Sequence, residues 1–118
     1  MNSIQSFNRT IDYIENTLDN ELDEKEIAHL SHYSYPLFSR IFSILVGYPL
    51  NEYIRLRKLS RAAADLRNGN EKVIDIAFRY GYESPDSFAA AFKKFHGVSP
   101  SEVRNGKSFK LFSSVKLS

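Results

Sequence analysis

Hydrophobic positions repeat at helical spacing almost from the first residue. Ile4, Phe7, Ile11, Ile14 and Leu18 recur at alternating steps of three and four, which sets all five on one stripe of a first helix. Asp23, with Glu26 three residues later, has the form of a capping box opening a short second helix that carries Ile27, Ala28 and Leu30. Ser34 is a good N-cap and Pro36 falls in the first turn, where a missing N–H is tolerated. Phe38, Ile41, Phe42 and Leu45 then give a third helix its buried face, up to Gly47. Pro49 opens a long fourth helix over residues 50–67, with Tyr53, Leu56, Leu59, Ala63 and Leu66 turned to a core while Arg55, Arg57, Lys58 and Arg61 add charge. After the break at Asn68-Gly69 a short fifth helix holds Val73, Ile76, Ala77 and Tyr80. Ser84-Pro85 starts a sixth, lined by Phe88, Ala91, Phe92 and Phe95, and Ser99-Pro100 starts one further turn through Val103 and Arg104. Beyond it Phe109, Leu111, Val115 and Leu117 alternate loosely, like an edge strand. The predicted fold class is all-α, with about seven helices.

Part of this pattern is written twice. Residues 27–53 and 76–103 share their punctuation: Ile-Ala in a short helix, a tight turn, a serine cap, two phenylalanines, then glycine. The offset is 49 residues at Ala28/Ala77 and 50 at Ser34/Ser84, Phe38/Phe88, Phe42/Phe92 and Gly47/Gly97, because Glu83 is one extra residue in the second turn. Each copy meets the requirements of a helix-turn-helix, in which two helices cross steeply over a turn of a few residues. Ala28 and Ala77 sit where a larger side chain would hold the crossing helices apart. Four residues further on, the chain must take the left-handed conformation that ends the first helix. Gly81 does so freely; His32, in the matching place, does so at a cost of about 1 kcal/mol or more. A plain bundle of two αα-hairpins is the competing architecture.

The expected organisation is a first helix-turn-helix subdomain over residues 1–48, a linker helix over 49–68, a second subdomain over 69–105 and a tail over 106–118. A linker helix of residues 50–67 is about 27 Å long at roughly 1.5 Å per residue, against about 34 Å between successive major grooves on one face of B-DNA. One chain of that design reads two adjacent grooves of an asymmetric site.

Composition narrows the alternatives. At 118 residues, 42% hydrophobic and 25% charged, the chain has the make-up of one globular domain and not of a disordered segment. No apolar run nears the roughly 18 residues that span a membrane, and the N-terminal residues lack the form of a secretory signal, so a cytoplasmic location without membrane contact is expected. With no cysteine there is no disulfide framework, thiolate metal site or cysteine nucleophile. His29, His32 and His96 have no metal-ligand spacing and are expected at the surface. No phosphate-binding loop, catalytic carboxylate pair or nucleophile elbow stands out, so neither an enzyme, a metal nor a cofactor is expected. Phe38, Phe42, Phe88, Phe92, Phe95, Tyr53 and Tyr82 fall at helical spacings and read as core packing rather than base stacking.

The overall charge of +2 conceals a division. Residues 1–53 hold three basic and eight acidic side chains, a net −5; residues 54–118 hold thirteen and six, a net +7. That asymmetry suits a polyanion approached by the C-terminal half, or two solvated faces of opposite sign.

Three stretches, EIAHLSHYSYPLFSRIF, GYPLNEYIRLRKLSRAAADL and VIDIAFRYGYESPDSFAAAFKKFHGVSPSEVR, make residues 4–104 resemble the DNA-binding domain of the AraC/XylS family of bacterial regulators. The resemblance implies a sequence-specific transcription regulator that puts the second helix of each unit, about residues 35–46 and 85–96, into a major groove. It further implies RNA polymerase as a second partner, since activators of the family touch it. The alternative function is a helical protein-interaction module docking on polymerase through the acidic first half. The tail FKLFSSVKLS resembles the join at which some relatives continue into a GyrI-like ligand-sensing domain, so a small-molecule effector would act only through a domain absent from this chain.

On the third helix Tyr35, Pro36, Ser39, Arg40 and Ser43 point away from Phe38, Ile41 and Phe42. Arg40 is the leading base-reading candidate, because a guanidinium pairs bidentately with guanine O6 and N7; a salt bridge or phosphate contact is its other role. Ser39 offers a hydroxyl to a base edge and Pro36 an apolar contact to a thymine methyl. The sixth helix presents Asp86, Ser87, Ala89, Ala90 and Lys93. There Asp86, Ser87 and Ala90 face the bases, with Asp86 able to accept from cytosine N4, although alanines stand where the family often has long polar side chains. Phosphate contacts are expected from Ser34, Tyr35, Ser43, Arg79, Ser84, Lys93 and Lys94, aided by the amides of a helix N-terminus.

Overall fold

In the computed structural model, which describes residues 2–117, the chain forms seven helices and, among those residues, no strand. α1 (Ser3–Asn16) starts on a capping box in which Asn2 and Gln5 exchange side-chain and backbone hydrogen bonds. α2 (Glu24–Ser31) is capped by the Asp23 carboxylate, which accepts from the Lys25 and Glu26 amides. Its end is left-handed at His32, φ +67°, the strained position the repeat pattern required. α3 (Tyr35–Val46) begins at Ser34 and stops at Gly47, and α4 (Leu50–Asn68) follows Pro49. α5 (Val73–Arg79) leads to Gly81 at φ +87°, α6 (Pro85–His96) is capped by Ser84, and α7 (Pro100–Arg104) by a Ser99/Glu102 capping box. The chain divides into two compact units, one of Met1–Arg55 with Ser114–Ser118 and one of Leu56–Ser113.

In the first unit the α1 stripe packs on α2 and α3 around Phe7, Ile11, Ile14, Ile27, Phe38, Phe42 and Tyr53, all buried. The Phe42 ring centroid lies 6.0 Å from Phe7 and 5.0 Å from Tyr53, and Phe7 lies 5.8 Å from Phe38. Each such side chain removed from water contributes about 1.5–3 kcal/mol, and each ring pair a further ~0.5–1.5 kcal/mol. Buried Thr10 meets its hydrogen-bonding need within α1, donating to the Ser6 carbonyl at 2.8 Å. The buried face of α3 is narrower than its spacing predicts: Leu45 is 53% exposed, beside Ile44 at 75%. The first turn of α1 leaves an apolar cleft there, bordered by Ile4, Tyr33, Ile41 and Leu45. Ala28, too, keeps partial exposure.

The second unit is built on Leu56, Leu59, Ala62, Ala63 and Leu66 of α4, against Ile76, Ala77, Tyr80, Phe88, Phe92 and Val103. Fully buried Ala77 is small enough for α5 and α6 to cross closely. Asp65 is a hub: it accepts from the Tyr80 hydroxyl at 2.5 Å and from Arg79 at 3.3 Å. Burial first, then the bond to Asp65, raises the Tyr80 phenol above its ordinary range.

Three expectations are corrected in this region. Arg57 is not a solvated charge but only 7% exposed, donating to the Phe112 carbonyl. His96 is not at the surface but 5% exposed, because it continues the Phe88–Phe92 stripe by another four residues. The tail is not a strand either. A strand needs a partner ladder, whereas here helix side chains take the amides: Lys110 donates to His96 Nδ1 and Phe112 to Ser60 Oγ in the second unit, Val115 to the Tyr53 hydroxyl and Leu117 to Asn8 in the first.

Candidate nucleic-acid interface

α3 owes its outward side to the period that buries Phe38 and Phe42: residues about 100° away along the helix are left facing water. Pro36 and Arg40 are exposed, with Tyr35, Ser39 and Ser43 half-buried. The side chains of Tyr35, Ser39, Arg40 and Ser43 border one open depression of about 390 Å³, closed on the other side by Pro49, Leu50 and Asn51. Among the described residues no carboxylate pairs with Arg40, so its guanidinium keeps all its donors for a ligand. Ser34 is partly committed, its hydroxyl accepting from the Leu37 amide.

Ser39 departs from its expected role. Its Oγ is turned out of solvent and has no hydrogen-bond partner among the described residues, so in this rotamer it offers nothing to a base edge. Asn51 is the member of this group that sequence reasoning missed. It lies at the start of α4, and the only signal was its place two residues after the helix-opening Pro49.

In the second unit Asp86, Ser87, Ala90, Lys93 and Lys94 are exposed along α6 and Ala89 is half-buried. Ser84 and Ser87 bind each other: the Ser84 oxygen accepts from the Ser87 amide at 3.1 Å, and the Ser87 hydroxyl donates to the Ser84 carbonyl at 3.0 Å. That cap fixes the helix start and leaves the Ser87 hydroxyl occupied. Arg79, expected on phosphate, pairs its guanidinium with Asp65 and Glu71, two carboxylates that its position at the end of α5 brings within reach. The pair with Asp65 braces α5 on α4. Lys93 and Lys94 remain as exposed cations one turn before the end of α6. Half-buried Lys58 has its pKa lowered by desolvation, and Glu102 is held below the usual carboxylate range by the Ser99 backbone and hydroxyl.

Among the described residues no group of three or more His, Asp or Glu side chains is placed to hold a metal. Among the same residues no helix is long and apolar enough to cross a membrane. The arrangement offers two helices, each with one polar side outward, one with a free guanidinium and the other with two ammonium groups.

A helix-turn-helix domain family matches residues 27–106. The chain is 45% identical over 92 residues to the HTH-type transcriptional activator AarP of Providencia stuartii, covering 78% of this chain and 68% of AarP. Its structure is similar to a Chromobacterium violaceum transcriptional regulator described as AraC-type, with a TM-score of 0.76 and 20% identity over 85% of this chain and 89% of that one. It is also similar to the DNA-binding domain of AdpA, a global transcriptional factor solved with a target DNA, with a TM-score of 0.73 and 22% identity over 86% and 91%. The two structural likenesses establish the fold.

Proposed function

The chain belongs to the AraC-type helix-turn-helix family of DNA-binding transcription regulators, and from that premise we propose that it reads one asymmetric site with α3 through bases and with α6 through phosphates. The observation that carries this division is the exposed, unpaired Arg40 on α3, set against the alanines and lysines of α6. A bidentate Arg–guanine pair is worth about 1–3 kcal/mol of discrimination, whereas a lysine on phosphate holds any sequence equally. The repeated pattern and a single helix running from residue 50 to 68 support contact with two successive major grooves.

Selection of bound duplexes from random DNA, followed by guanine-methylation interference, tests the reading. The expected result is an asymmetric site of roughly 20 base pairs with a sharply preferred guanine in one groove and weak preferences in the next. Failure to retain any duplex in low salt would exclude it.

AarP is an activator, and the acidic residues 1–53 supply a surface for a second contact, with RNA polymerase; we therefore read the chain as an activator and not an enzyme. Transcription in vitro from a template carrying the selected site checks this, with stimulation by purified polymerase as the expected outcome. On this reading the protein works in the cytoplasm, and a small-molecule effector acts through a domain outside this chain.

A further inference from the structure

α6 ends on a histidine held from two sides. His96 Nε2 lies 2.9 Å from the Leu59 carbonyl oxygen of α4, and Nδ1 accepts from the Lys110 amide at 3.1 Å. An amide N–H only donates, so Nδ1 carries no proton; a carbonyl only accepts, so Nε2 carries one. The geometry thus fixes a single neutral tautomer. The ring packs against Phe92 at 4.2 Å, Phe95 at 4.7 Å and, edge-on, Phe109 at 5.8 Å between centroids.

The charged groups around it are Lys110 on the tail, Lys93 and Lys94 on its own helix, and from α4 Arg67, which lies over the Phe109 ring, and Arg57, which donates to Phe112. Glu102 of α7 reaches Lys107 and the field of Lys93 rather than the imidazole. Among the described residues no carboxylate pairs with His96. A second proton therefore finds no counter-charge. It has to go to Nδ1, where it displaces the Lys110 amide and puts a cation among aromatic rings.

The same two bonds tie the end of α6 to α4 and to the tail, and the tail continues the attachment where Phe112 donates to Ser60 Oγ at 2.9 Å. Lys93 and Lys94 precede His96 by three and two residues, so the orientation of this helix end sets where both ammonium groups stand. With Ala89 and Ala90 on its outward side, α6 has little besides that placement with which to hold DNA.

We propose that His96 is the positioning residue of the second reading helix and acts only as the neutral Nε2–H imidazole, so that acid frees residues 109–113 from α4 and weakens DNA binding. The proposal rests on the DNA-reading role above. Burial is the largest influence on the imidazole and lowers its pKa from 6.5; the Leu59 carbonyl pulls the other way and Lys110 adds to burial. The group then stabilises the fold fully above its ordinary value of 6.5. That contribution is lost as the pH falls below 6.5 towards the lowered folded value. The sign on DNA is diagnostic. A proton gained on the surface adds positive charge and strengthens binding to a polyanion, whereas protonating His96 does the reverse.

The test uses the full chain in two measurements. Without DNA, NMR follows the His96 ring titration together with amide exchange at Lys110 and Phe112. With a duplex selected at about pH 7.5, affinity is measured down to about pH 5.5 for the native chain, His96→Phe and His96→Gln. We expect both amides to lose protection in step with His96, and native affinity to fall progressively towards the acid end of the range, by less than about tenfold because a single proton on a group with a lowered pKa is responsible. His96→Phe should be weaker than the native chain at neutral pH and flat or rising towards acid. His96→Gln, which retains a donor for Leu59 but does not titrate, should also lack the acid loss and serves if His96→Phe fails to fold. A Lys110 amide that stays protected while His96 titrates, or native and variant pH profiles that coincide, would overturn the proposal. Absence of DNA binding by the native chain at every pH would sink the DNA-reading premise and the positioning role with it, an outcome the DNA-free titration tells apart from failure of the latch alone.

Discussion

α3 and α6 hold matching places in the repeat, fifty residues apart, and their cores are alike: Phe38 and Phe42 in one, Phe88 and Phe92 in the other, all fully or nearly fully buried. Their outer faces are not. Arg40 is matched by Ala90, Ser39 by Ala89, Ser43 by Lys93 and Ile44 by Lys94. Arg79, at the end of the short helix that precedes α6, is paired with Asp65 and Glu71. The two copies keep what packs and differ in what faces out. On the proposed reading, one copy reads sequence and the other holds the backbone.

The common half of the comparison gives the largest expected effect. Phe42→Ala and Phe92→Ala each remove a fully buried ring and should each cost about 3–5 kcal/mol, seen as a lower denaturation midpoint in urea. A loss under about 1 kcal/mol in either would mean that the two cores are not equivalent.

The divergent half predicts smaller and qualitatively different effects. Arg40→Ala should cost about 1–3 kcal/mol in DNA affinity and flatten the preference at one base of the selected site. Lys93→Ala should weaken binding to all sequences alike, leave the preferred site unchanged and reduce the slope of log affinity against log salt by roughly 1. If Lys93→Ala altered base preference, or Arg40→Ala altered only the salt slope, the assignment of roles to the two helices would be reversed.

Much of this was legible in the sequence because it depends on period and punctuation. The caps at Asp23, Ser34, Ser84 and Ser99, the glycine stops at Gly47 and Gly97, and the left-handed His32 follow from local chemistry that a single chain displays. The all-helical class and the doubled unit came with them. What was not legible depends on partners distant along the chain. Arg79 has the composition of a phosphate contact until Asp65, fourteen residues earlier, takes its guanidinium. Arg57 donates to the Phe112 carbonyl and His96 accepts from the Lys110 amide, and no periodicity announces that a segment with a strand-like alternation will meet helix side chains in this way. For His96 a signal did exist: residues 88, 92 and 96 keep the same four-residue step, and histidine there belongs with the phenylalanines. The Ser39 rotamer lies beyond any pattern, since helical phase sets the direction of Cβ but not of Oγ.

The smallest expected effect tests the one place where the two turns differ in backbone chemistry. His32 and Gly81 both take positive φ, +67° and +87°, to end the first helix of each unit. A Cβ built on Gly81 would meet nothing nearer than the Lys58 ammonium at 4.0 Å, so any penalty for Gly81→Ala is conformational and not a clash; it should be about 1 kcal/mol. His32→Gly should act in the opposite direction. Relieving the left-handed strain contributes roughly 1 kcal/mol, part of which is offset because glycine makes the unfolded chain more flexible, by about 0.5–1 kcal/mol. The net gain is therefore expected to be at most a few tenths of a kcal/mol, read as a slight rise in the urea midpoint. The His32 amide still donates to the Ala28 carbonyl in the variant, so the turn itself is kept. A clear loss of stability on His32→Gly would show that the imidazole contributes contacts the first turn needs, and that the two turns are not interchangeable solutions to the same backbone problem.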